Sequence, residues 1–360
     1  MVKPLVNDSA GSLVAKVLAG SWRVQSPPLD ISAEELSRVA PLLLESGAGA
    51  LGWRQVRNST LNATTEAREL QQSYRLHTLQ AGIHERDIKR VITFFKRAAI
   101  EPVLVKGWAV ARLYPERGLR PYGDIDLAFR PDQFDEAMAL LQTEEGKKFN
   151  VDLHKGLRKL DDLSFEELIA RSETVTLGDV EVRILGPEDH FRILCVHLLR
   201  HSAWRPLWLC DIAATLESRP QGFDWDRCLG RNPRQADWVA CTVGLAHRLL
   251  GAKVDDTPVA ERAETLPGWF IPSVLRNWDR PDPNLYPPLS YVPPMISYLR
   301  RPAGMLKALR RRWPDPIEAT IRMRGPFNEM PRLPFQLGNC LKRVTGFFAT
   351  VVGLREEQIH

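Results

Sequence analysis

Between residues 100 and 155 short strand-like runs alternate with amphipathic stretches, and two of those runs carry acids, Asp124 and Asp126 two apart in one and Asp152 in a later one. Pro102-Val103-Leu104-Val105 reads as a strand entered from a loop, and Trp108 to Leu113 as a helix ending near Pro115. Asp124 to Phe129 (DIDLAF) alternates polar and apolar residues, as a half-buried strand does. Pro131 fits the first position of a helix over Asp132 to Gln142, with Phe134, Met138 and Leu141 on one side. Phe149 to Leu153 (FNVDL) is the third strand. Thr174 to Leu177, a turn at Gly178-Asp179 and Val180 to Ile184 then read as a hairpin. The expected fold class is therefore α+β, a small mixed sheet flanked by helices, with helical N-terminal and C-terminal regions.

The flanks have a different period. Thr64 to Arg97 places Leu70, Tyr74, Leu79, Ile83, Ile88, Ile92 and Phe95 at helical spacing, with Gly82 expected to break the run into two helices. Three amphipathic stretches follow Pro187, whose neighbours Glu188 and Asp189 suit a helix start. After residue 265 prolines crowd the chain (Pro267, Pro272, Pro281, Pro283, Pro287, Pro288, Pro293, Pro294) among Trp269, Phe270, Trp278, Tyr286 and Tyr291. This predicts irregular chain wrapped over a surface. The expected division is 1–98 helical, 99–186 the α/β core, 187–265 a helical domain packed on that core, and 266–360 Pro-rich and basic.

At 360 residues there is chain enough for two domains, and 44% apolar with 26% charged residues excludes an intrinsically disordered class. The five cysteines are scattered without a C-x-x-C pair, so neither a disulfide framework nor a zinc site is expected. No run reaches the roughly 18 apolar residues that a membrane span needs, and the N-terminus lacks a secretory pattern; the expected compartment is the cytoplasm. A net charge of +5 suits polyanionic ligands such as nucleoside triphosphates without requiring nucleic acid.

The chemistry concentrates in Gly123-Asp124-Ile125-Asp126-Leu127. Residues i and i+2 of a strand share a face, so Asp124 and Asp126 sit side by side while Ile125 and Leu127 anchor the strand. Paired carboxylates raise each other's pKa unless a cation lies between them, and a hard divalent ion is the natural partner: magnesium, with manganese as an alternative. Asp152 repeats the alternation on a later strand. Three acids on neighbouring strands can hold two metal ions that bind a triphosphate, activate a hydroxyl and stabilise leaving pyrophosphate. Alone, D-x-D is a weak signal, shared with glycosyltransferases, phosphatases and plain exposed strands.

Its setting sharpens it. The stretch LVKGWAVARLYPERGLRPYGDIDLAF, then VDLHKGL, then PEDHFRILCVHLLRHSAWRPLWLCDIAATL resembles the uncharacterised nucleotidyltransferase family of the DNA-polymerase-β-like superfamily, over roughly residues 90–216. The resemblance implies a transferase that moves an NMP from an NTP, ATP among the candidates, to a hydroxyl of a small molecule, a peptide or protein, or an RNA end. It makes Asp124 and Asp126 the metal-binding pair and Asp152 the third acid, a base or metal ligand facing the acceptor. Lys106 and Gly107 stand where the superfamily has a Gly-Ser pair gripping the triphosphate. The serine is missing, so either Lys106 meets phosphate as a point charge, or it points to solvent and Gly107 only turns the chain. The alternative function is a non-catalytic nucleotide- or partner-binding protein that keeps the fold.

Other candidates are less sharply defined. Gly123 precedes the acid pair in the nucleotide-binding stretch, and Arg120 is either a phosphate clamp or a surface arginine. His154 either orients Asp152, faces the acceptor or is a satisfied structural group. His197 and His201, four apart on one helix face, lack the glutamate and third ligand of a zinc site, which favours a structural or acceptor-facing role. Asp211 is expected to cap or to pair with His201 or an arginine. Trp204 and Trp208 suit the core better than a nucleobase stack. Arg300, Arg301, Lys307, Arg310, Arg311, Arg312, Arg322 and Arg324 make 300–324 the most basic region, either a polyanion surface or a solvated face.

Overall fold

The computed structural model describes residues 9–157, 163–279 and 313–351. Helices α1 (Ala10–Leu18), α2 (Ala33–Glu45), α3 (Gly49–Val56) and α4 (Thr65–Arg97) precede the sheet. Helix α4 is continuous over 33 residues, about 50 Å at 1.5 Å per residue. Gly82 does not break it. A lone helical glycine costs only about 1 kcal/mol, and here the Thr64 side chain caps the start while both ends are packed. Ala67 and Leu70 join the large helical core, and Ile88, Val91, Ile92 and Phe95 join the core under the sheet. The middle crosses between them, so Leu79 and Ile83, expected inside, are 69% and 50% exposed.

The sheet comprises β1 (Val103–Leu104), β2 (Asp126–Phe129), β3 (Asp152–Lys155), β4 (Glu173–Leu177) and β5 (Val180–Ile184) in the order β3-β2-β1-β5-β4. β1 runs antiparallel to β2 and parallel to β5; β2 and β3 are parallel; β4 and β5 form the expected hairpin, closed by the Leu177–Val180 pair with Gly178 at φ +64°. Helices α5 (Trp108–Ala111), α6 (Phe134–Leu141) and α7 (Phe165–Arg171) connect these strands. The fold is thus α+β, a mixed sheet among helices. Two boundaries differ from expectation. Pro131 lies in a turn before α6, and the third strand starts at Asp152 because Gly146–Lys148 coil into a 3₁₀ turn first.

Alternation along β2 divides its side chains between two cores. Ile125, Leu127 and Phe129 pack with α4, whereas Ala128 joins Phe165, Leu168 and Ile193 on the opposite face. Asp126 shares the face of Ala128.

Helices α8 (Pro187–Arg200), α9 (Pro206–Glu217), α10 (Trp225–Leu229), α11 (Pro233–Leu250), α12 (Ala260–Glu264), α13 (Phe270–Asp279), α14 (Pro316–Arg322) and α15 (Leu333–Val351) complete the described chain. Phe270 and Trp278 of α13 are fully buried, so this stretch is core helix rather than irregular wrapping. Pro272 is tolerated because it lies in the first turn, where no amide is required. Pro281 to Pro294, with Tyr286 and Tyr291, lie outside the described residues.

Between α8 and α9, Ser202 (φ +56°) and Ala203 (φ +50°) are consecutive, fully buried and left-handed. Non-glycine residues in that region carry strain of roughly 1–3 kcal/mol each and persist only where surroundings enforce it. Here Asn277 donates to the Ser202 carbonyl (2.8 Å) and the Trp278 indole to the Ala203 carbonyl (2.7 Å). Asn277 also donates to Asp315 (3.1 Å), whose other oxygen caps α14 through the Ile317 amide (2.8 Å).

Two outcomes are expected. Gly82→Ala, with open space where its Cβ would stand, should raise the free energy of unfolding by about 0.5–1 kcal/mol in urea titration. Burial pushes the Asp315 carboxyl up to about 6, against the donors Asn277, Ile317 and Ser202. Since the unfolded carboxyl ionises near 3.8, the folded chain holds the extra proton, and this group lowers stability as pH rises from about 4 to about 6. Asp315→Asn keeps a helix cap and should flatten that slope in thermal melts across the window.

Candidate active site

A cleft of about 350 Å³ opens between the sheet and helices α8 and α9, within the size range of ligand sites. Lys106, Gly107, Gly123, Asp124 and Asp126 line one side, and His197, Arg205 and Trp208 the other. The lining residues come from segments far apart in sequence.

On the sheet side, β1 leaves through Lys106 into Gly107, which adopts φ +61°. A Cβ there would sit 3.3 Å from the Asp124 carbonyl, so glycine lets the two strand ends approach closely. Helix α5 is only four residues long, Trp108–Ala111, and ends two residues before the expected Leu113. Gly123 adopts no left-handed conformation and has open space at its Cβ position.

Asp126 is buried and accepts from two sides at one oxygen: Lys106 Nζ lies 3.1 Å and His154 Nε2 2.9 Å from Oδ1. Burial alone would raise this carboxyl, but the His154 hydrogen bond and the Lys106 charge outweigh it and hold it down at about 2. His154 therefore engages Asp126, not Asp152 as the sequence suggested. Asp124 is exposed in the cleft lining, two residues before the start of β2. Asp152 stands directly opposite Asp126 in the parallel β2–β3 register, about 4.8 Å away across the ladder. Its carboxylate is exposed and makes no hydrogen bond or ion pair among the described residues.

Carboxylate oxygens suit a hard divalent ion, and Asp124 and Asp126 share the cleft with Asp152 one strand away. Among the described residues, however, no three His, Cys, Asp or Glu side chains converge as a metal-holding group. Asp126 is instead engaged by Lys106 and His154, and Asp152 is not among the residues that line the cleft.

Arg120 is neither a surface arginine nor an open clamp. It is 8% exposed and forks onto Asp211 of α9, with Nη2 to Oδ2 at 2.8 Å and Nε to Oδ1 at 3.1 Å. The Tyr114 hydroxyl donates to Asp211 Oδ1 at 2.8 Å. This resolves the expected partner of Asp211 as an arginine and ties the segment leading into Asp124 to α9.

Arg205 was not anticipated. Its Nε donates to the Ser46 carbonyl at 2.7 Å, yet no carboxylate pairs with it among the described residues. Burial and the nearby Arg120 charge hold it down at about 10, while Asp211 and Asp124 pull the other way. It is a cation that lines the cleft without a direct ion pair among the described residues. In the sequence its only mark is a position between two tryptophans. His197 and His201 stack 4.6 Å apart, and only His197 lines the cleft. In the basic segment, Arg322 is committed to Glu318 (2.6 Å), and Arg300, Arg301, Lys307 and Arg310 to Arg312 lie outside the described residues.

Because the Arg120–Asp211 pair is buried, Arg120→Ala should strand a charge and destabilise the fold by about 3–5 kcal/mol in chemical denaturation. A surface arginine would change stability by no more than about 0.5 kcal/mol.

No curated protein and no solved structure matches the sequence. The family profile described as uncharacterised nucleotidyltransferase matches residues 32–251, well over half of the chain. That span contains every cleft residue named above, and it supports a nucleotidyltransferase activity at a coarse level. With a D-x-D acid pair and facing cations in one cleft of an α+β fold, the chain belongs to the uncharacterised nucleotidyltransferase family.

Proposed function

We propose that the chain transfers an NMP from an NTP to a hydroxyl of an acceptor, with Asp124 and Asp126 as its metal-binding acids and Asp152 facing the acceptor. The observation that carries this reading is a single cleft in which that acid pair faces Lys106 and Arg205. Adjacent acids and cations suit a metal–triphosphate complex, whose own charges are of both signs. Held by Asp124 and Asp126, magnesium would neutralise phosphate charge and lower the pKa of an acceptor hydroxyl. Arg205 supplies a fixed cation for the triphosphate. Lys106 can serve phosphate once Asp126 has another cation to face, exchanging one ionic partner for another.

The acids divide their work by environment. Asp126 is a poor base, since Lys106 and His154 hold its carboxyl at about 2. Asp152 is exposed, and its carboxylate has no partner among the described residues, which leaves it open to an acceptor hydroxyl. In this scheme the acceptor oxygen attacks the α-phosphorus, its proton passes to Asp152, and the bond to pyrophosphate breaks. His154 orients Asp126.

One observation favours a second reading, a nucleotide-binding protein without turnover: Lys106 and His154 occupy the Asp126 oxygen that a metal would use. Pyrophosphate release and labelled-NMP incorporation, assayed with each NTP against pooled metabolites, peptides and tRNA, separate the two. Asp124→Asn and Asp126→Asn should each lower turnover by more than about 100-fold, beyond the 10–100-fold typical of outer partners of a metal site. Calorimetric binding of Mg-ATP without turnover in any pool would favour the second reading. Turnover unchanged in both variants would remove the first.

A further inference from the structure

We infer that Trp208, held in place by His197, His201 and Trp204, is the stacking platform for the planar base of a nucleotide. This deepens the nucleotide reading of the same cleft and rests on it. The neighbours of Trp208 on α9, Leu207 and Leu209, are fully buried, whereas Trp208 is half-buried and lines the cleft. A tryptophan serving the core alone has no reason to border a polar cleft.

Its surroundings fix the indole. The rings of His197, His201 and Trp204 lie 4.5, 5.4 and 5.6 Å from it, tilted or edge-on at 59–74°. A ring held by three others has little rotamer freedom left to lose when a ligand arrives, which favours binding. The Arg205 guanidinium also lies over the ring, so a base stacked on the indole would sit beside the cation that meets its phosphates. Stacking is tolerant of base identity because every base has a π-face, and the larger purines gain more contact area.

Phosphate geometry points to the same place. Arg205 lies one helical turn before Trp208, with its guanidinium carbon 5.7 Å from the ring centre. It is the cleft cation without a carboxylate partner among the described residues. A triphosphate running between Lys106 and Arg205 delivers the attached nucleoside to the Trp208 side. Tyr122 and His84 also line the cleft, 5.4 Å apart, but the arginines near Tyr122, Arg117 and Arg120, are paired with Glu85 and Asp211.

The test compares two probes by calorimetry with magnesium: a non-hydrolysable α,β-methylene ATP and inorganic tripolyphosphate, on the full chain. The wild type should bind the nucleotide at least about tenfold more tightly than tripolyphosphate, the scale of one base–aromatic stack. Trp208→Ala should erase that ratio while leaving tripolyphosphate affinity unchanged, and Trp208→Phe should retain most of it. Equal wild-type affinities, or a ratio untouched in a folded Trp208→Ala protein, would overturn the platform while leaving the phosphate site standing. If tripolyphosphate itself fails to bind, the nucleotide reading of the cleft falls, and the platform with it. Should Trp208→Ala not fold, Trp208→Leu carries the same comparison, and a nucleotide preference untouched in a folded Trp208→Leu protein would overturn the platform.

Discussion

Arg120 and Asp211 meet inside the protein, and their ion pair fixes the relation between the two halves of the cleft. Arg120 lies in the segment leading to Asp124 and Asp126; Asp211 sits on α9, three residues beyond Trp208 and six beyond Arg205. Two desolvated charges repay their lost hydration only in good geometry with their remaining valences filled. Tyr114 supplies one further donor to the carboxylate. Since the guanidinium fork permits few orientations, acids on the sheet and the cation on the helix are held in one register.

Around that pair the cleft keeps its charges close to balance. Lys106 and His154 face Asp126, Arg120 faces Asp211, and Asp124 lies near Arg205. A site arranged like this can admit a polyanion together with its counter-cation by exchanging partners, without leaving a buried charge unmatched at any stage. The same logic explains why Asp126 remains ionised despite burial, and why Arg205 is depressed: it sits in low dielectric beside another arginine.

Much of this was legible in the sequence where local rules govern. Strand alternation marked the D-I-D-L segment and the hairpin, and the proline start at Pro187 marked α8. What local rules missed was set by contacts between distant segments. Gly82 reads as a breaker, yet packing at both ends carries α4 through it. Arg120 looks exposed until the fold brings α9 beside it. His154 follows Asp152 by two residues but reaches across the ladder to Asp126. Phe270 and Trp278 stand among prolines and still enter the core. Arg205 has no pattern to announce it; its interest arises from facing the cleft with no direct carboxylate ion pair among the described residues, which only three dimensions reveal.

The left-handed turn at Ser202 and Ala203 carries the chain from α8 into the residues that present Arg205 and Trp208. Its conformation is enforced by Asn277 and Trp278, which lie beyond the span shared with the family. The far wall of the cleft is therefore propped from outside the span that matches the family. Drift in α13 or α14 could relax or tighten this strained corner and reshape the pocket with every lining side chain unaltered. Specificity within such a family can evolve from behind the wall.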